Sequence, residues 1–280
     1  MFVRGRDLSS LPTVSKDYLP VAFQCFFDGG NKADSRLYDT LTLAALSGDG
    51  VLWDVFTDQW RTVLKLHGAP FLHTNKAMVK EGVYRGWTEA QVESFVGDCV
   101  SVLEKHATTR AANTFTYLGI RPATVTVFLK DFKNALARIP DLGSVEEVCA
   151  VHAAAWCQTY GLLTGHSKAQ FFYDQGEPFC GHIRDRMNNK KARKVIPLLG
   201  KTVVANEADM RGVPALQAAD LFAWTINHIY RRAARFGWER RLLAIDRDEE
   251  TFRYKRLISP NMGRLTVTRS WGLPKRARLK

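Results

Sequence analysis

The stretch VAFQCFFDGG, residues 21–30, decides how the chain is expected to fold. Its apolar run has the length of a strand and contains three phenylalanines, which favours a central strand that is buried on both faces. The run ends at Asp28, and two glycines follow directly. Because aspartate is common at strand ends as a turn residue, Asp28 alone is weak evidence for a functional site.

Strand-like and helix-like segments alternate over most of the chain. No helical pattern separates the first run from the next apolar segment at 39–47, so we expect these two strands to form an antiparallel hairpin. The alternation as a whole predicts an α/β domain in which a mixed β-sheet is flanked by α-helices. The further predicted strands are 111–120, 168–176 and 201–206, and the predicted helices are 53–67, 88–103, 144–160 and one that begins at Pro214.

The length and composition favour one elaborated domain. A chain of 280 residues is at the upper end of what a single core serves, and 46% hydrophobic with 24% charged residues excludes broad disorder. The predicted organisation is an N-terminal extension over 1–18, the main domain with helical insertions over 19–245, and a basic C-terminal segment over 246–280.

The charge predicts a polyanionic partner. The net charge is +12, which favours nucleic acid first and an acidic membrane surface second. No apolar run approaches the roughly 20 residues of a membrane-spanning helix, so no membrane partner is expected. The five cysteines are scattered without a C-x-x-C pair, so we predict buried free thiols and a cytoplasmic location.

A second predicted strand also ends in a carboxylate, because FFY is followed by Asp174. Catalytic groups of α/β sheets favour strand ends. The helix that begins at Pro214 is apolar except for a narrow stripe, which places Asp220 in a mostly buried element. A buried carboxylate needs a cation, a hydrogen-bond network or an opening to water. A stripe that faces solvent is the alternative. The polar members of the stripe are Gln217, Asp220, Asn227 and His228.

Several carboxylates in one place repel each other unless they hold a divalent metal. Carboxylate oxygens are hard ligands that suit Mg²⁺ or Mn²⁺, and two such ions support phosphodiester cleavage. Asp28, Asp174 and Asp220 are therefore the candidate catalytic and metal ligands. Glu177, Glu207 and Asp209 lie close to them in sequence, with capping or turn roles as the alternative.

Three stretches, FFDGG, FFYDQG and DMRGVPALQAADLFAW, resemble the domain-of-unknown-function 3800 family. The resemblance implies a ribonuclease H-like fold over roughly residues 20–235 and an acidic metal site. Asp28, Asp174 and Asp209 match acidic positions of the family, which makes Asp209 a candidate catalytic residue. The family's terminal Leu-Gln-x-Ala-Asp-Leu helix is matched by Leu216, Gln217, Ala219, Asp220 and Leu221.

Two features of the resemblance are weaker. The family often has Asp-Glu-Ser-Gly where this chain has Asp28, Gly29 and Gly30, so a glutamate and a serine are missing. His73, in FLHTNK, matches a histidine of the family, and an ordinary packed or surface histidine is the alternative. His73 and Gln217 therefore join Glu177 and Glu207 as additional candidates.

Basic residues form runs that suit phosphate contacts. Arg231, Arg232 and Arg235 are predicted to extend the last helix, with Phe236 and Trp238 interleaved for base stacking. A solvated helix end and a disordered tail are the alternatives. A second predicted nucleic-acid-binding run consists of Lys190, Lys191, Arg193 and Lys194.

Three functions are compatible with these patterns. The first is a metal-dependent nuclease that acts on RNA or DNA with Mg²⁺ or Mn²⁺. The second is a nucleic-acid-binding protein that retains the fold without cleavage. The third is an interaction subunit whose basic surface meets an acidic protein partner. The oligomeric state is left open by the sequence.

Overall fold

A mixed sheet forms the middle layer of the protein. The computed structural model describes residues 23–30, 39–107, 119–137, 143–166, 168–188, 203–231, 235–245, 248–256 and 263–271. The strands are β1 (Phe23–Gly29), β2 (Thr40–Asp49), β3 (Arg121–Phe128), β4 (Ala169–Asp174), β5 (Val203–Ala208), β6 (Asp248–Arg256) and β7 (Gly263–Trp271). The helices are α1 (Gly50–His67), α2 (Thr74–Val79), α3 (Glu89–His106), α4 (Leu129–Leu136), α5 (Val145–Leu163), α6 (Phe179–Asn188), α7 (Pro214–Arg231) and α8 (Gly237–Ala244).

The strand order is β5-β4-β1-β2-β3-β6-β7. β1, β2 and β3 form an antiparallel meander, whereas β4 pairs parallel to β1 and β5 pairs parallel to β4. The predicted α/β architecture and the predicted β1–β2 hairpin are therefore confirmed. β1 is hydrogen-bonded on both sides, as its unbroken apolar run predicts.

Two cores lie on opposite faces of the sheet. Phe23, Cys25 and Phe27 of β1 point into a core that includes α4, α5 and α6. Phe26 points into a second core that includes α1, α3, α7 and α8. Because successive side chains of a strand alternate between faces, a strand covered on both sides needs apolar residues on both of them, as β1 has. The five cysteines are free and buried, as predicted.

Local signals fixed several helix ends as predicted. α1 ends at Gly68, which adopts the left-handed conformation with φ of 65°. Thr88 and Gln91 form a capping box at the start of α3. Ser144 accepts a hydrogen bond from the N–H of Glu147 and so caps α5.

The sequence interpretation missed β3, as well as β6 and β7 near the end of the chain. The strand predicted at 111–120 lies almost entirely outside the described residues, and β3 begins only at Arg121. Thr124 and Thr126 of β3 are buried like its valines, and the Thr126 hydroxyl is 3.0 Å from that of Thr42. The two threonines hid this strand from the sequence interpretation. The Thr126 hydroxyl has a partner inside the sheet, whereas the Thr124 hydroxyl is buried without one among the described residues.

The expected continuation of the last helix through Arg235 is wrong. α7 ends at Arg231, and Arg235 precedes the separate helix α8. The carboxylate of Glu239 accepts hydrogen bonds from the N–H groups of Arg235, at 2.6 Å, and of Phe236, at 2.8 Å. These bonds satisfy the free donors of a new helix start, which is why the chain does not continue α7.

The C-terminal residues extend the same sheet. β6 pairs parallel to β3 and β7 pairs antiparallel to β6, although 246–280 were predicted as a separate basic segment. The predicted extension 1–18 lies outside the described residues. In the described part of the chain, no helix has both the length and the apolar character needed to cross a membrane.

The two glycines after Asp28 allow helices to approach the end of β1. A Cβ atom at Gly29 would lie 2.7 Å from Cε2 of Phe179, and one at Gly30 would lie 2.8 Å from the carbonyl oxygen of Ala223 in α7. The side-chain amide of Asn227 also donates to the carbonyl oxygen of Gly30 at 3.2 Å. The small residues are therefore required by the packing of the chain on itself.

We expect Gly30→Ala to destabilise the protein by about 1–3 kcal/mol, because the methyl group would meet the backbone of α7, which cannot rotate away. Gly97→Ala is the matched control, since a Cβ atom at Gly97 in α3 meets nothing within 4 Å. The control should be stabilising by about 0.5–1 kcal/mol because alanine favours a helix. Urea unfolding of both variants measures the difference, and equal effects would contradict this account of β1.

Candidate acidic functional site

The sheet places Asp28 and Asp174 on one face. Phe26 of β1 pairs with Phe172 of β4, and their rings stack with centroids 5.0 Å apart. Asp28 and Asp174 come two residues later on each strand, so they point to the same side as the stacked rings. That side is the one covered by α7.

Asp220 reaches this region from α7. The residue is 8% exposed, and its Oδ2 atom accepts a hydrogen bond of 2.6 Å from the N–H of Thr74 at the start of α2. Nδ1 of His73 lies 3.9 Å from the same oxygen. Since Gln217, Asp220 and Asn227 are all buried, the alternative of a solvent-facing stripe is wrong.

The carboxylates lie close enough to perturb one another. Burial raises the pKa of Asp28 well above its usual value, and the negative charges of Asp220, Glu177 and Asp174 raise it further. A hydrogen bond of 2.6 Å from the N–H of Gly29 opposes this shift. No described lysine or arginine side chain forms an ion pair with Asp28. We call Asp28, Asp174, Asp220 and Glu177 the acidic cluster.

The pKa values of the other two aspartates of the cluster are raised as well. Burial raises the pKa of Asp174, against a hydrogen bond of 2.9 Å from the N–H of Met210. Burial also raises the pKa of Asp220, where His73 and the N–H of Thr74 act in the opposite direction and Asp174 adds repulsion. The charges of these aspartates, which are distant in sequence, therefore act on one another, whereas their predicted convergence on a shared metal stays a prediction.

Glu177 brings a fourth carboxylate to the cluster. It follows β4 after Gly176, whose φ of 86° turns the chain back. Oε2 of Glu177 lies 3.4 Å from the position of a Cβ atom at Gly29. A carboxylate from the β4 turn thus borders residue 29, where the resembling family often has glutamate.

Asp209 forms an ion pair with Arg211 at the edge of the cluster. Its carboxylate accepts from Nε and Nη2 of Arg211, with the shortest contact at 2.6 Å, and this guanidinium lowers the pKa of Asp209. The charge of Asp209 still raises the pKa of Asp174, so the two side chains are neighbours. The Asp209 side chain is 42% exposed and already has a cation, unlike the buried Asp28.

Glu207 points away from the cluster. It is opposite Tyr173 in the β4–β5 pair, and Tyr173 belongs to the core on the other face of the sheet. Its Oε1 atom lies 3.6 Å from Nη1 of Arg184 in α6. The period of two along β5 therefore separates Glu207 from Asp174.

Gln217 holds together the segments that carry the cluster. Its Oε1 accepts from the indole N–H of Trp60 and from the N–H of Leu72, each at 2.9 Å. Its Nε2 donates to the carbonyl oxygen of Met210 at 3.0 Å. The amide is fully buried, and these bonds give it a positioning role beside Asp220.

His73 borders the cluster with a half-buried side chain. Within the described residues its Nδ1 is buried without a hydrogen-bond partner, although the carboxylate of Asp220 is 3.9 Å away. Its backbone N–H donates to the hydroxyl of Tyr84 at 3.0 Å. Thr74 and Met210, whose backbone N–H groups bind carboxylates, carried no signal in the sequence because any residue offers that donor.

The predicted basic contacts fall mostly outside the described residues. This applies to Lys190, Lys191, Arg193, Lys194 and Arg232, and to the side chain of Arg231. Arg235 is exposed, with its Nη2 atom 3.9 Å from Oε1 of Glu89. Its guanidinium also lies 5.2 Å from the ring centroid of Phe236.

The side chains are not arranged as a metal centre as they stand. Among the residues that the structure describes, no group of three or more His, Cys, Asp and Glu side chains has the geometry to hold an ion. Asp28, Asp174 and Asp220 each turn one oxygen toward a backbone N–H group. Three neighbouring carboxylates without an ion pair to a described lysine or arginine, each with a raised pKa, nevertheless have the donor chemistry that Mg²⁺ prefers.

Comparisons with known proteins add no assignment. No protein family, curated protein or solved structure significantly matches this chain. The resemblance to the domain-of-unknown-function 3800 family therefore stays a prediction based on the motifs.

We expect Asp28→Asn to raise the free energy of unfolding at pH 7 by about 1 kcal/mol or more, since each unit of pKa corresponds to about 1.4 kcal/mol. A carboxyl group whose pKa is raised in the folded protein binds more protons there than in the unfolded chain. Wild-type stability should therefore fall as the pH rises from about 4 through the raised pKa, and the fall should be smaller in the variant.

Urea unfolding between pH 4 and pH 8 in EDTA measures this dependence. Asp58→Asn, at an exposed position of α1, is the matched control and should follow the wild type. If Asp28→Asn were less stable than the wild type at pH 7, Asp28 would be a structural residue with a cationic partner.

We expect Gln217→Met to destabilise the protein by about 2–6 kcal/mol, because the N–H donors of Trp60 and Leu72 would stay buried without acceptors, at about 1–3 kcal/mol each. Gln175→Met is the control at an exposed position next to Asp174 and should change stability by about 0.5 kcal/mol at most. Thermal and urea unfolding measure both. A loss below about 1 kcal/mol for Gln217→Met would show that the amide does not hold these segments.

Proposed function

We propose that the chain is a metal-dependent nuclease that hydrolyses phosphodiester bonds of RNA or DNA at the acidic cluster. The observation that carries the proposal is that the charges of Asp28, Asp174 and Asp220 act on one another while no described lysine or arginine side chain forms an ion pair with them. The net charge of +12 supports it, because a positive protein attracts the phosphate backbone toward a local acidic site.

We further propose that the fold is ribonuclease H-like, as the resemblance implies. In support, the sheet begins with the antiparallel meander β1-β2-β3 and continues on the other side of β1 with the parallel strands β4 and β5. The two strand-end aspartates, Asp28 and Asp174, lie on adjacent strands beneath α7, which supplies Asp220.

The acidic cluster fits Mg²⁺ or Mn²⁺ by its ligand chemistry. Asp28, Asp174 and Asp220 would hold the ion, and Glu177 is better placed than Asp209 as the fourth carboxylate because Arg211 already neutralises Asp209. Bound divalent ions supply an activated water and stabilise charge on the leaving oxygen in phosphodiester cleavage.

The chain's own residues would orient the carboxylates and manage protons. The N–H groups of Gly29, Met210 and Thr74 each bind one oxygen of Asp28, Asp174 and Asp220, respectively. His73 has an unpartnered Nδ1 beside the cluster and is the candidate to donate a proton to the leaving oxygen. Arg211, exposed at the edge, is placed to contact a phosphate group.

A nucleic-acid-binding protein without cleavage is the second candidate. The observation that favours it is Gly29, which leaves no side chain where the resembling family often has a glutamate. Glu177 counts against this alternative, because its carboxylate borders the Cβ position of residue 29. Metal binding and cleavage distinguish the two functions.

We expect Asp220→Asn to abolish Mn²⁺ binding and cleavage while leaving the metal-free protein at least as stable as the wild type. Asparagine can still accept the hydrogen bond from Thr74, and it removes the repulsion with Asp28 and Asp174. The measurements are titration calorimetry with Mn²⁺ and incubation with labelled RNA, DNA and hybrid substrates in Mg²⁺ or Mn²⁺.

Asp58→Asn serves again as the control and should bind metal and cleave like the wild type. A melting temperature of Asp220→Asn far below that of the wild type in EDTA, with an unchanged response to Mn²⁺, would show that Asp220 supports the fold instead of the metal. Binding of labelled nucleic acid without cleavage by the wild type in either metal would favour the second candidate.

A further inference from the structure

A pocket of about 140 Å³ lies on the α7 side of the sheet, outside the acidic cluster. Its walls come from α2, α3 and α7 and from the segment before α8. None of the cluster residues lines it, so its chemistry is separate from that of the carboxylates.

Flat aromatic surfaces make up one side of the pocket. The ring of His228 stacks on Trp224, with centroids 4.6 Å apart and planes 22° apart. Nδ1 of His228 is 2.5 Å from Oε1 of the fully buried Glu239, which fixes the ring. Phe236, the other aromatic lining residue, stacks on Trp238 with planes 10° apart. These contacts hold the rings in place before any ligand arrives.

Charged groups surround the aromatic rings. Lys80 and Arg235 supply positive charge to the lining, and Glu89 and Glu93 supply carboxylates. Lys80 is the one described non-glycine residue with a positive φ, at 55°, so the end of α2 turns where this lysine meets the pocket. Cations of this kind can contact phosphates, and carboxylates can accept hydrogen bonds from the amino groups of bases.

Two helices connect the pocket with the acidic cluster. Asp220, Trp224 and His228 follow one another at intervals of four residues on α7, or roughly 6 Å per step. α2 begins at Thr74, which binds Asp220, and its far end contributes Met78 and then Lys80 to the pocket. A ligand in the pocket is therefore close to the carboxylates along both walls.

We infer that this pocket binds an unpaired nucleobase of a single-stranded nucleic acid whose backbone continues to the acidic cluster. The inference rests on the proposed function and deepens it by naming the substrate class. Stacking on aromatic side chains is the general means by which proteins hold unpaired bases, and it tolerates every base because each has a flat π-face.

The lining of the pocket favours a single strand over a duplex. Bases of a duplex are stacked on their neighbours and do not present a free face, whereas bases of a single strand can turn out and stack on side chains. The mixture of Lys80, Arg235, Glu89 and Glu93 around the rings is also more polar than a groove for an apolar protein helix requires.

The test measures binding of a labelled single-stranded oligonucleotide, and of the duplex of the same sequence, by fluorescence anisotropy in EDTA. We expect the single strand to bind more tightly than the duplex. Trp224→Leu and Phe236→Leu should each weaken single-strand binding by roughly 5- to 150-fold, the range measured for the loss of one stacked base. Trp156→Leu, in α5 on the opposite face of the sheet, should leave binding unchanged.

The lysine is tested through salt dependence. If Lys80 neutralises one phosphate of a single strand, Lys80→Gln should reduce the slope of log K against log salt by about 0.7. The control is Lys65→Gln, at an exposed position of α1, which should leave the slope unchanged. Trp224→Leu and Phe236→Leu should weaken binding without changing the slope, because stacking releases no counterions.

Unfolding measurements on each variant show whether it is folded, so that a loss of binding can be assigned to the pocket. If Trp224→Leu does not fold, Phe236→Leu, in the segment before α8, decides. Wild-type affinity in a folded Phe236→Leu variant, or equal binding of duplex and single strand, would overturn the inference. Equal weakening by Trp156→Leu would show a general loss of stability and would also overturn it.

The outcomes separate this inference from the proposed nuclease activity, because binding is measured in EDTA. If the wild type binds the single strand through the pocket but never cleaves it, the result would support the inference and contradict the proposed nuclease activity. Cleavage by a Phe236→Leu variant with wild-type affinity would support the nuclease and defeat the inference. Asp220→Asn should retain single-strand binding while it loses cleavage.

Discussion

The buried amide of Gln217 is the interaction on which the arrangement of the acidic cluster depends. One side chain joins α7 to Trp60 of α1, to Leu72 before α2, and to Met210 after β5. The segments at Leu72 and Met210 continue directly to the backbone N–H groups that bind Asp220 and Asp174. Because a buried amide with unmet hydrogen bonds is costly, these segments cannot move independently, and the carboxylates they orient are fixed together.

The acidic cluster stores electrostatic strain that the fold must support. Asp28 is buried beside three other carboxylates with no described cation, which raises its pKa. The two hydrophobic cores on either side of the sheet provide the stability that tolerates this strain. Sites that are costly in the free protein and favourable with a ligand are typical of functional regions, since binding relieves the cost.

The packing of the helices also decides which carboxylates belong to the acidic cluster. Gly29 and Gly30 allow α6 and α7 to close onto the end of β1, and the turn after β4 brings Glu177 to the space beside Gly29. Asp209 is held by Arg211, and Glu207 lies on the opposite face near Arg184. Three acidic residues that look equivalent in sequence thus have three different environments, and only Glu177 has a carboxylate that borders the space beside Gly29.

The sequence by itself determined the elements whose signals are local. The apolar run of β1 required pairing on both sides, and the capping residues fixed the starts of α3 and α5. The apolar residues around Asp220 indicated that it is buried. Only the tertiary structure decided the hydrogen-bond partners of the Gln217 side chain and the separate start of α8. It also decided the different positions of Glu177, Asp209 and Glu207, because strand register and helix packing join residues that are far apart in the chain, and no local periodicity encodes those distances.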